Sequence, residues 1–165
     1  MATSPESTAA LKALYAGNAL WHTSALVHFS FRSAFMMKKL ALRKKSRDPA
    51  TSSSPEGDAW HHDIMSYLGG MNSSLALLAL FRVYALFKPD SRLPMRTVAG
   101  EASLDVIALS VLGLANFSQA LCNFTISAQN DRWIMGKGLD RITVLDALFT
   151  VLDWTAAFVR LGAVA

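Results

Sequence analysis

The chain has one cysteine in 165 residues, Cys122, and it lies inside an apolar segment. A lone thiol excludes a disulfide scaffold, CxxC redox chemistry and a cysteine-rich zinc site. Charge is also scarce. Asp, Glu, Lys and Arg make up 17% of the residues, against about 25% in soluble domains. The sequence contains no HExxH, GxSxG or P-loop, no HxxxH box and no internal repeat. Its basic residues are not interleaved with aromatics as a nucleic-acid groove requires, so nucleic acid is not an expected partner. Met1 to Ala10 holds no Lys or Arg, which argues against a cleaved signal peptide.

What is abundant is apolar. Hydrophobic residues are 52% of the chain and the mean hydropathy is +0.29. They gather into runs of the roughly 20 residues that a membrane-spanning helix needs. Four spans are expected, at about 11–37, 64–87, 102–128 and 142–165. The first is the most polar, with Asn18, His22, His28 and Arg32. Lipid cannot satisfy an open sheet edge, and no segment alternates like a barrel strand. The expected fold is therefore all-α: a single polytopic membrane domain, built as an antiparallel bundle of four transmembrane helices.

The segments between the spans carry the orientation signal. Residues 38–63 form a basic linker whose Ser/Pro/Gly-rich middle, Asp48 to Asp58, is expected to be flexible. Residues 88–100 contain Pro89 and Pro94, which block helix continuation. The first linker holds Lys38, Lys39, Arg43, Lys44, Lys45 and Arg47, and the third holds Arg132, Lys137 and Arg141. The opposite side holds Lys12, Lys88, Arg92 and Arg96. Nine basic residues against four place the first and third linkers in the cytosol. The run Leu40 to Arg47 would also attract anionic lipid, at roughly 1 kcal/mol per basic residue. Asn72, Asn116 and Asn123 head glycosylation sequons. All three fall within spans, where no glycan is expected, since glycans need an exposed loop.

Polar residues inside the spans are the candidate site. Asp105, Asn116, Gln119 and Asn123 share one helical stripe with Leu112, at spacings that keep one face. Asp146, Asp153 and Arg160 recur every seven residues, with Thr150 alongside. On the first span Asn18 and His22 are four apart, as are His28 and Arg32. A charged residue near the membrane centre costs roughly 2.5–3.5 kcal/mol on insertion scales. The three acids must therefore face inward. Their candidate partners are Arg32, Arg82, Arg160, His22 and His28.

Other residues read as structural. His61, His62 and Asp63 are adjacent and project in different directions, so no metal is expected. Asp63 stands where the second span's N-cap belongs. Gly69, Gly70, Ser73 and Ser74 form a small-residue surface for close helix packing.

These features favour a small accessory or scaffold protein of an internal membrane such as the endoplasmic reticulum. Its expected partners are membrane lipid, other membrane proteins or a second copy, and no cofactor is implied. The alternative is a membrane-embedded enzyme acting on a lipophilic substrate, or a small proton-coupled carrier. There Asp153 or Asp146 would serve as general acid/base, with Asn116, Gln119 or Arg82 orienting polar groups.

Overall fold

A computed structural model describes residues 5–41, 58–88, 97–129 and 141–162, and nearly all of these are helical. The elements are α1 (Pro5–Leu26), a π-helical turn (Val27–Phe31), α2 (Ser33–Ala41), α3 (Ala59–Phe87), α4 (Val98–Gln129) and α5 (Arg141–Leu161). Three stretches are long and apolar enough to cross a membrane: Ala59–Phe87, Ala99–Thr125 and Ile142–Leu161. With α1 they make a helical membrane bundle of four long helices. The mid-linker residues 42–57 lie outside the described residues.

Residues 11–37 do not form one straight helix. The ladder widens into the π turn at Val27 and breaks at Arg32, whose φ of −129° leaves the helical region. His28 Nδ1 lies 2.8 Å from the Ser24 carbonyl. An α-helical turn would give that carbonyl to the His28 amide, so the side chain competes with the backbone there.

The start of α3 departs from the expected position. The N-cap is Asp58, not Asp63. Asp58 accepts the His61 amide N–H at 3.0 Å, and its carboxylate lies 2.7 Å from His61 Nδ1. This capping box moves the helix start five residues upstream and leaves Asp63 exposed within the first turns. A short polar side chain ahead of an apolar run is a cap signal, and Asp58 and Asp63 both supply one. The reciprocal contact with His61 decides between them.

α1 packs chiefly on α3, and α4 chiefly on α5. Both pairs are antiparallel. Along the first pair, Lys12 sits over the Phe87 ring, His22 meets Asn72, and Ser30 Oγ donates to the Ser66 carbonyl. Gly69 permits the close crossing, because a Cβ there would fall onto the Ser30 side chain and within 2.9 Å of its backbone nitrogen. Gly113 does the same for the second pair: its missing Cβ leaves room for the Trp154 indole, which also tilts against Phe117. The apolar core holds Leu11, Tyr15, Ala79, Leu109, Leu112 and Ala157. Large apolar side chains such as Phe81, Tyr67, Val151 and Phe158 point outward, as a lipid-facing surface does.

Candidate functional site

Where the two helix pairs meet, polar side chains stack as a column inside the bundle, beside an apolar cluster drawn from all four long helices. The first layer is centred on Asp105 of α4, which has no exposed surface. One of its oxygens accepts from Arg82 Nε at 3.1 Å, from Arg82 Nη2 at 2.7 Å and from the Tyr15 hydroxyl at 2.8 Å. The other accepts from Arg160 Nε at 2.9 Å and lies 2.7 Å from Arg160 Nη2. Arg82 also reaches the partly exposed Glu101 at 3.0 Å. Two guanidinium groups thus face two carboxylates. A charge cluster out of water is tolerable only when balanced and hydrogen-bonded in this way.

The second layer is centred on Asp153 of α5. Its oxygens accept from Asn18 Nδ2 at 2.8 Å and from Asn116 Nδ2 at 3.3 Å. The Asn116 amide also reaches Asn18 Oδ1 at 3.2 Å. All three residues have zero exposure. No Lys, Arg or His among the described residues pairs with Asp153, because Arg82 and Arg160 are both turned to Asp105. The amide oxygen of Asn116 is buried and meets no donor.

The third layer lies toward the α3 N-terminus. Trp21 Nε1 donates to Asp146 at 2.8 Å, and Trp21 stacks on Phe149. Thr150 returns its hydroxyl to the Asp146 carbonyl. Beside them His22 Nδ1 lies 2.8 Å from Asn72 Oδ1. Asn72 Nδ2 donates to the Leu68 carbonyl, which fixes the amide's direction and makes Nδ1 the protonated nitrogen of His22. His22 Nε2 then offers a buried lone pair that no donor reaches.

Of the sequence-stripe residues, Asp105, Asn116, Asp146, Asp153, Arg82 and His22 come together in this column. Four do not. Gln119 and Asn123 are half-buried and outside the network. Asn123 stands about five full helical turns from Asp105, so sharing its phase does not by itself bring a side chain into the network. His28 is taken up by Ser24 within its own helix, and Arg32 is exposed over the Phe35 ring. Arg32 is thus no partner for the buried acids, and Arg82 pairs with Asp105 rather than Asp153. Tyr15, Trp21 and Asn72 are additional members. The spacing Tyr15, Asn18, His22 is the signal that could have found the first of these, since steps of three and four keep one helical face.

An apolar groove of about 340 Å³ lies between α4 and α5, lined by Val106, Ser110, Trp154, Ala157, Phe158 and Leu161. None of the buried acids lines it. Among the described residues no cluster of three His, Cys, Asp or Glu side chains has the geometry of a metal site. Comparison with protein families, with curated proteins and with solved structures finds no match.

Proposed function

We propose that the chain is a non-catalytic accessory or scaffold protein, embedded in an internal membrane such as the endoplasmic reticulum, whose outward faces bind other membrane proteins. One observation carries this reading. The acids that could do chemistry, Asp105, Asp146 and Asp153, have no exposed surface and are hydrogen-bonded across helices. A catalytic group must touch its substrate, whereas structural polar contacts between membrane helices are expected to be sealed in this way. The side chains left for partners are the outward apolar ones. A photo-crosslinking residue at Phe81, Tyr67 or Val151 should yield covalent protein adducts in native membranes, with buried Ala79 as the silent control. Adducts to lipid alone from all three positions would overturn the reading.

A second reading, enzyme or proton-coupled carrier, is favoured by Asp153, which is buried without a cationic partner among the described residues. It requires the helix pairs to part along the polar column. Asp153→Asn would then abolish activity while detergent stability persists. Location is tested by imaging the tagged chain against organelle markers.

A further inference from the structure

The second layer holds a buried carboxyl group with no positive charge beside it among the described residues. In the first layer the arginines and acids balance, two against two. In the second layer Asp153 has carboxamide partners only, among the described residues. Among the described residues, the charged and titratable groups that face this part of the interior are accounted for. On α1 they are Tyr15, which donates to Asp105, and His22, which meets Asn72. On α3 Arg82 binds Asp105 and Glu101, and on α4 Asp105 is enclosed by its two arginines. On α5 Arg160 serves Asp105, and Asp146 accepts from Trp21. None supplies a cation to Asp153.

The same layer has a surplus acceptor. Asn116 Oδ1 is buried and reached by no donor, while the nitrogen of that same amide lies 3.3 Å from Asp153 Oδ2. An ionised carboxylate has acceptors only, and a protonated one has an O–H to give. Turning the Asn116 amide about its last torsion brings its oxygen to the carboxyl and gives up the 3.2 Å contact of its nitrogen with Asn18 Oδ1, and amide orientation is set by the network rather than by the backbone. An isolated carboxylate in an apolar medium neutralises itself by taking a proton rather than bear the cost of charge.

We infer that Asp153, with Asn18 and Asn116, is a proton-binding site: the side chain is held as the neutral acid where α1, α4 and α5 meet. The proton is a structural ligand of the junction between the two helix pairs. It removes the one unbalanced charge of that layer and gives the carboxyl the donor that the Asn116 oxygen lacks. The inference is independent of the scaffold reading, since it concerns what the site holds and not what the outer faces bind.

The test is infrared spectroscopy of the full-length chain in lipid bilayers at neutral pH, with and without carbon-13-labelled aspartate. The expected result is a carboxylic-acid C=O band that shifts with the label and in deuterated water. It should be lost in Asp153→Asn and kept in Asp146→Asn. A wild-type spectrum without such a band overturns the inference, and so does a band that survives Asp153→Asn. Should Asp153→Asn fail to fold, Asp153→Glu keeps a carboxyl at the site. Its acid band is expected to ignore the aspartate label, and a label-sensitive band in that variant overturns the assignment.

Discussion

Asp105 is the residue on which most of the interior depends. Its carboxylate takes five donor groups from three side chains on three other helices. Asp105→Asn should therefore cost about 3–5 kcal/mol, because buried Arg160 loses its counter-charge and Arg82 is left with the partly exposed Glu101 alone. Chemical unfolding in mixed detergent micelles would read this directly. Arg82→Gln combined with Asp105→Asn should be less damaging than the sum of the single changes, while Arg82→Gln combined with Asp153→Asn should be additive. A coupling between Arg82 and Asp153 would contradict the layer assignment. At the membrane edge, the His61 amide and side chain hold the Asp58 carboxyl below its ordinary titration range. A depressed acid stabilises above its unfolded value and loses that contribution as pH falls through the folded one. Amide exchange at Trp60, His61 and His62 should accordingly quicken in acid, and Asp58→Ala should remove the pH dependence. That polar residues face inward was legible from the sequence, because their periodicity and the cost of charge in lipid both demand it. Which pairs form was not. Arg82 lies 23 positions from Asp105 and Arg160 lies 55 away, and such partnerships follow from helix rotation rather than local pattern.

At the scale of the elements, adjacent glycines separate two meanings of a small residue. Gly69 and Gly70 read alike in the sequence. Gly69 faces Ser30 at the tightest approach of α1 and α3, while nothing lies within 4 Å of a Cβ at Gly70. Gly69→Ala should destabilise by about 1–3 kcal/mol through overpacking. Gly70→Ala should be neutral or stabilising by up to about 1 kcal/mol through helix propensity. Thermal aggregation in detergent would rank the two, and equal effects would remove Gly69 from the contact. Whereas the more polar α1 is not among the stretches apolar enough to cross, the three apolar spans were legible, since hydrophobic run length dictates them. The break at Arg32 was not, because His28 capturing the Ser24 carbonyl is a side-chain event that hydropathy does not register. The upstream start of α3 was hidden for the same reason, since it depends on His61 turning back to Asp58.

At the scale of the whole molecule, the closest packing lies within each helix pair, while the apolar core and much of the polar contact join the pairs. The halves should therefore recognise one another without covalent connection. Residues 1–93 and 94–165, expressed as separate chains, are expected to co-purify as a one-to-one complex. Asp105→Asn in the second fragment should abolish the association. Fragments that insert yet never associate would show that the chain linking α3 to α4 does more than join them.

The dependence of Arg82 on α4 also has a temporal side. During synthesis α1 and α3 emerge first, so for that interval a guanidinium sits in the membrane while its acids, Glu101 and Asp105, have yet to be translated. The nascent first half is an orphan, marked as unfinished by a charge that its own second half will cover. A chain truncated after α3 should be cleared quickly by membrane quality control, and Arg82→Leu should lengthen its half-life in a pulse-chase experiment. The same bond that locks the finished bundle would thus report, until it forms, that the protein is incomplete.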